Sequence, residues 1–353
     1  MAERRLLFYA SSPMNYLIFR PVHARLRRDP RLDFWFSGKF LDEKDPRKLY
    51  AQVGLEDQKI ISEFRARWTR FDLYLVARWR VAAPRARKKA HFFHGVSFKN
   101  YALSDHALLY DRLFLVGDYH RRRFIDLGVL TPDDPRIARV GMPKTDCLVD
   151  GSLDRKVIIE SYGLDPARPT ILYAPTWSEH CSLYTLGMDL MKAVARRPVN
   201  FLIKLHDHSY DPRHNRIDWA EALKVFDDSP NVRVVREWDV CPSLVAADVL
   251  ISDASSVAYE FLLLDRPVIF CDVPELLAGY RGADLETWGR QVGCTIATIP
   301  ALDAAIDDSL ASPGRHGELR RAAAADLFYN PGHATEHAVE EIYELLELDS
   351  PAV

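Results

Sequence analysis

The stretch DVLISDASSVAYEFLLLDRPVIF, residues 248–270, decides how this chain is read. It predicts a buried strand over Val249–Ser252, a polar turn over Asp253–Ser256, an apolar helix, and a second buried strand over Pro267–Phe270. Both apolar runs are short and β-branched, as in parallel strands covered on both faces. The residues between them are enough for a helical crossover. Asp253, Ser255 and Ser256 crowd the start of that helix, where backbone N–H groups lack partners and the helix dipole is positive. Such a helix start is a seat for phosphate. Asp and Ser are equally the favoured N-cap residues, so capping and ligand binding both stay open for this turn. Tyr259, three residues after Ser256, excludes a capping box from that serine.

Upstream, the same strand–loop–helix pattern recurs. Thr170–Tyr173 is a strand that ends in Ala174-Pro175-Thr176-Trp177, where Pro175 stops the strand and Thr176 offers a hydroxyl. Asn200–Leu205 is a strand that carries Lys204 within it and His206 at its end, and Val232–Val235 is another. Nearer the start, Leu6–Ala10 leads through Ser11, Ser12 and Pro13 into a helix to about Arg28, followed by a strand at Leu32–Phe36. This alternation is that of an α/β domain, and it makes Ser11 to Asn15 a candidate cleft loop. The sequence lacks GxGxxG, which weighs against the usual dinucleotide fingerprint. In HFFHGVSFK, residues 91–99, the two phenylalanines read as a strand end and Gly95 permits a tight turn. His94 is thereby exposed at a strand's carboxyl end, although a lone histidine is usually structural and chemistry here needs other support.

A chain of 353 residues exceeds one ordinary core and implies two domains. Hydrophobic and charged fractions of 48% and 27% are those of a soluble globular protein, and a formal charge of −3 gives no general case for nucleic acid. The five cysteines are scattered without a CxxC, which fits reduced thiols in a cytoplasm. The N-terminal apolar run is too short for a secretory signal, and no run of about 18 apolar residues could span a membrane, so any membrane work is expected from the surface.

Between Arg65 and Lys89, nine Lys or Arg face the single acid Asp72, with Trp68, Phe71, Tyr74 and Trp79 interleaved. A basic, aromatic, partly helical segment is the form of an anionic-lipid contact. The alternative is a solvated basic helix whose aromatics pack on the core. The loop His206-Asp207-His208 to Asp211 and His214 matches no standard ligand spacing, so no metal site is expected there. No acidic metal cage is apparent and no cofactor is expected.

Taken together, His94, Thr176, Lys204, His206 and the Asp253/Ser255/Ser256 turn sit at predicted strand ends. Lysine, hydroxyls and a helix start suit a diphosphate, and a histidine suits removal of a proton from an attacking hydroxyl. In order, His94-Gly95…Lys99, Gly141-x-Pro143…Asp146, Tyr173-Ala174-Pro175-Thr176-Trp177, Lys204-x-His206 and Asp253-x-Ser255-Ser256 resemble the motifs of the CDP-glycerol glycerophosphotransferases, the teichoic-acid primases and polymerases.

The resemblance implies an α/β GT-B fold, two Rossmann-like doubly wound domains facing an interdomain cleft. The expected division is an acceptor domain over 1–165, a nucleotide-donor domain over 166–335, and a helix over 336–353 crossing back to the first. It implies transfer of glycerol phosphate, or a related polyol or sugar phosphate, from a CDP-linked donor to a hydroxyl of a lipid-linked glycan acceptor, by a cytoplasmic protein peripheral on the inner membrane face. Carried over by position, His94 is the general base, His206 contacts the donor phosphate, and Ser255 and Ser256 bind the diphosphate. Lys204, Thr176 and Asp253 match motif positions on the donor side. Two departures stand out. Asp207 occupies a place where the family commonly has proline, and the late motif is reduced to Asn330-Pro331-Gly332-His333-Ala334-Thr335, where Thr335 is expected to cap the last helix near the nucleotide. Alternatives are a GT-B glycosyltransferase or nucleotide-sugar epimerase, for which Glu260 would be of interest, and a non-catalytic membrane-surface component.

Overall fold

The computed structural model describes residues 3–39, 45–96, 105–213, 215–280 and 285–349. Lys99 and His214 lie outside the described residues. The chain forms two compact units. One comprises the chain up to Val96, the residues up to Asp146, and the chain from Asp326 onward; the other comprises Cys147–Ala325. The helix Arg155–Ser161, placed in the first domain by the sequence reading, belongs to the second unit.

In the first unit, the strands β1 Arg4–Ala10, β2 Leu32–Gly38, β3 Lys59–Ile60, β4 Leu73–Val76, β5 Lys88–Phe92, β6 Arg112–Leu115 and β7 Ile137–Arg139 form a parallel sheet in the order β3-β2-β1-β4-β5-β6-β7. The second unit repeats the plan with β8 Thr170–Tyr173, β9 Asn200–Ile203, β10 Val232–Val234, β11 Val249–Ser252, β12 Val268–Cys271 and β13 Cys294–Ile296, ordered β10-β9-β8-β11-β12-β13. The central strands are buried along their length, as parallel strands covered on both faces must be. In each sheet the strand order reverses once, between β1 and β4 and between β8 and β11. Connections diverge there and leave room for ligands beyond the carboxyl ends.

The basic aromatic segment is not one amphipathic helix. Only Glu63–Trp68 is helical, and Leu73–Val76 is the central strand β4, paired with both β1 and β5. Four consecutive apolar residues that can be buried on both faces outweigh the flanking arginines. Phe71 and Tyr74 are buried and Trp79 stacks on His91, whereas Phe64 and Trp68 stand 76% and 55% exposed. The helix expected after Ser256 is likewise short, one α turn at Val257–Glu260 continued as a 3-10 turn at Phe261–Leu264. It ends at Asp265 in the left-handed region.

The last helix, Ala334–Leu346, buries Ala338, Ile342 and Leu346 at four-residue spacing in the core of the first unit. The segment leading to it runs so close to the first sheet that two glycines are required. A Cβ on Gly117 would lie 2.2 Å from the Leu327 carbonyl, and one on Gly141 (φ +100°) would lie 2.2 Å from the Tyr329 oxygen.

Candidate functional site

In the second unit, β8, β9 and β11 deliver polar loops to the switch point. The centre of this arrangement is Asp253, 1% exposed. One carboxylate oxygen accepts from the amides of Thr176 (2.8 Å) and Ala254 (2.7 Å). The other accepts from the amide (2.9 Å) and hydroxyl (2.7 Å) of Ser182, which also meets the Tyr173 hydroxyl at 2.9 Å. The buried carboxylate therefore holds the loop after β8, the helix start at Ser182 and the turn after β11 as one piece. A buried charge is tolerated because its lone pairs are occupied. The same charge, second to burial itself, pushes the Cys181 thiol up to about 12. Arg290 ties the back of the turn, donating to the Asp253 carbonyl (3.4 Å) and the Cys271 carbonyl (2.7 Å).

With Asp253 so employed, Ser255 and Ser256 are the remaining hydroxyl residues of the turn. Ser255 is 9% exposed and Ser256 half-buried. The Ser256 side chain makes no capping bond to its helix, so the capping use left open by the sequence is not taken up by this residue.

Lys204 follows β9 directly rather than lying within it, and is buried with its ammonium donating to the Glu237 carbonyl at 2.5 Å. His206 is exposed. Its Nδ1 accepts the His208 amide at 3.1 Å, so the neutral ring carries its proton on Nε2 and can donate there. Its ring stacks on His208 (centroids 5.2 Å apart), which in turn lies 4.8 Å from Trp177 of the β8 loop. Between them, burial pushes Asp207 up to about 6, against the pull of Lys204 and Arg236. Glu260 is buried at 1% exposure.

In the first unit, His94 is exposed just beyond β5. The loop carrying it rests on two buried histidines. His120 donates from Nε2 to the Val96 carbonyl (2.9 Å), and burial lowers its pKa to about 3, so it is neutral. Among the described residues neither ring nitrogen of His91 has a hydrogen-bond partner; the ring lies under Trp79 at 3.9 Å and is held well below the ordinary histidine pKa by burial. The Ser11–Asn15 loop is engaged in starting its helix: Ser12 accepts from the Asn15 amide, and Asn15 accepts from the Ser11 amide.

Thr335 lies in the first unit and does not cap the last helix. It is the second residue inside that helix, and the cap is Asp146, whose carboxylate accepts the amides of Ala334 (3.1 Å) and Thr335 (2.8 Å). A carboxylate arriving from the 141–146 turn reaches amides that the helix's own first residues cannot. Sequence reasoning missed Ser182 and Arg290, whose partners are 71 and 37 positions distant and leave no local pattern.

Two parallel sheets of this strand order in one chain define the GT-B class of proteins. The wall teichoic acid polymerase TagF shares the fold, with a TM-score of 0.72 at 17% identity over 98% of this chain and 89% of that one. So does a structure described as a putative UDP-N-acetylglucosamine 2-epimerase from Listeria monocytogenes, with a TM-score of 0.64 at 15% identity and 99% of each chain covered. Residues 101–282, just over half the chain, match the family model described as CDP-Glycerol:Poly(glycerophosphate) glycerophosphotransferase, and the chain belongs to that family. The teichoic acid glycerol-phosphate primase of Bacillus spizizenii is 24% identical over 248 residues, 67% of this chain and 58% of that protein. The teichoic acid poly(glycerol phosphate) polymerase of Staphylococcus epidermidis is 29% identical over 42% of this chain and 21% of its own length. This chain thus matches little more than half of the first of these relatives and about a fifth of the second.

Proposed function

We propose that this chain transfers glycerol phosphate, or a related polyol or sugar phosphate, from a CDP-linked donor to a hydroxyl of a lipid-linked glycan acceptor in the building of a cell-surface polymer. The observation that carries the reading is the turn after β11, held by Asp253 and carrying two serines beyond the β8/β11 switch point, within a chain of this family. Ser255 and Ser256 bind the donor diphosphate, and Thr176 and Lys204 support the same loops. His206 donates from Nε2 to a phosphate oxygen, and Thr335 stands at the start of the helix that returns to the first unit. His94 is the general base. The acceptor oxygen attacks the phosphorus of the transferred group and its proton passes to His94. The bond from that phosphorus to the oxygen of CMP breaks, and CMP leaves. Positioning and electrostatic stabilisation supply most of the acceleration in phosphoryl transfer.

The first unit would hold the acceptor, at the inner face of a membrane. Among the described residues, no helix is long and apolar enough to cross one. Incubation with CDP-glycerol and a lipid-linked disaccharide is expected to release CMP, and His94→Ala to abolish release while leaving CDP-glycerol affinity within about twofold, since a base contributes to the reacting state rather than to donor binding. No CMP release with any CDP-alditol would end the proposal. Stabilisation by UDP- or GDP-sugars, rather than CDP-alditols, would favour a glycosyltransferase.

A further inference from the structure

At the carboxyl edge of the first sheet, Tyr9 of β1, Val76 of β4 and His91 of β5 stand in one register row. The chain therefore leaves β4 and β5 at the same height. Trp79 and Arg80 follow β4 at the switch point between β1 and β4, and Trp79 packs against His91 and Phe93, the residue before His94.

Arg80 is held there by several independent contacts. Its Nε and Nη2 donate to the two carboxylate oxygens of Glu63 at 2.6 and 2.9 Å, and the Tyr9 hydroxyl donates to the same carboxylate. The Arg80 amide donates to the Tyr110 hydroxyl (3.1 Å), and its carbonyl accepts from Tyr74 (2.8 Å) and Tyr110 (3.0 Å). Trp79 next to it lies flat on buried His91.

A surface ion pair alone contributes little and needs no such framework. Here the backbone is fixed from two tyrosines and a stacked ring, yet the Arg80 side chain remains 49% exposed. Glu63 engages Nε and Nη2, which leaves the Nη1 side of the guanidinium fork for another oxygen anion. Lys39, just past β2, lies within electrostatic reach of Glu63, so cations outnumber the one carboxylate. A pre-oriented guanidinium at a switch point, one residue after the tryptophan that packs on the strand end leading to His94, suits a phosphate group on the substrate whose hydroxyl that base activates.

We infer that Arg80, oriented by Glu63 and Tyr9, binds a phosphate of the acceptor beside His94. This deepens the transferase reading above and rests on it. The test uses two probes: a short-chain alkyl disaccharide diphosphate, and the same disaccharide as a plain alkyl glycoside. Binding is followed through tryptophan fluorescence without CDP-glycerol, and acceptor and donor KM are then measured by CMP release.

The wild-type protein is expected to bind the phosphorylated probe about 10- to 100-fold tighter than the glycoside, the factor for hydrogen bonds to a charged group. Arg80→Ala should bind the two probes alike while the KM for CDP-glycerol stays constant. Arg80→Lys, which keeps the charge without the fork, and Glu63→Gln, which loosens the fork, should each lose part of the preference. The inference is overturned if Arg80→Ala retains the preference, weakens both probes equally, or raises the donor KM instead. If Arg80→Ala loses the preference while the wild type releases no CMP with either probe, the transferase reading fails and the phosphate site stands.

Discussion

Asp253 gives the sharpest test of how the donor loops are held. Replacing it by alanine removes the carboxylate that accepts from the amides of Thr176, Ala254 and Ser182, in a place where all three residues are at most 7% exposed. The Ser182 hydroxyl keeps Tyr173 as a partner. Each buried donor left unsatisfied costs about 1–3 kcal/mol, and local relaxation will admit water to some of them, so a loss of about 3–5 kcal/mol is expected. Asp253→Asn should cost less, about 2 kcal/mol, because one amide oxygen can still serve Thr176 and Ala254 while its NH2 confronts the Ser182 amide. Urea denaturation monitored by circular dichroism reads both losses as shifts in midpoint at constant slope. CDP-glycerol affinity should fall in the same order, since the carboxylate acts through the loops it holds. The reasoning is refuted if Asp253→Ala unfolds within about 1 kcal/mol of the wild type yet loses donor binding; that pattern would mark direct contact with the ligand.

Three further outcomes are expected. Asp207 has its folded pKa raised to about 6 by burial, so it holds its proton more tightly folded than unfolded; stability should fall as pH rises from about 4 to about 6 and stay lower above. Discounted for partial exposure, Asp207→Asn should gain about 1–2 kcal/mol at pH 7.5 and nothing at pH 4, and equal stability at both pH values would contradict this. Asp146→Ala should cost about 2 kcal/mol through two lost helix-start bonds, read as faster hydrogen exchange over Ala334–Leu346; unchanged exchange there would show that the cap is dispensable. The exposed pair Phe64 and Trp68, one helical turn apart among Arg65, Arg67 and Arg85, should bind anionic vesicles in a salt-sensitive way that Trp68→Ser weakens, whereas equal binding to neutral vesicles would remove the electrostatic part.

Composition misled where strong local signals competed. The arginine-rich stretch conceals β4 because its four buried residues, Leu73–Val76, stand between exposed arginines, and aromatics that look like a surface belt are divided between core and solvent. Thr335 looked like a cap because local spacing shows the residues near a helix start. It cannot show a carboxylate 189 positions away that reaches the same amides.

What the sequence by itself determined is the repeated strand–loop–helix order and the chemistry of the strand ends, since apolar period, prolines and hydroxyl-rich turns are local properties. It was enough to place Val249–Ser252 as a strand, His94 just past a strand, and the family resemblance. The tertiary structure alone decided how those side chains are employed: Asp253 as the tie between three segments, Asp146 as a distant cap, Arg80 fastened to Glu63. Each of these depends on a hydrogen bond between segments far apart in the chain, and such a bond leaves no periodicity for the sequence to show.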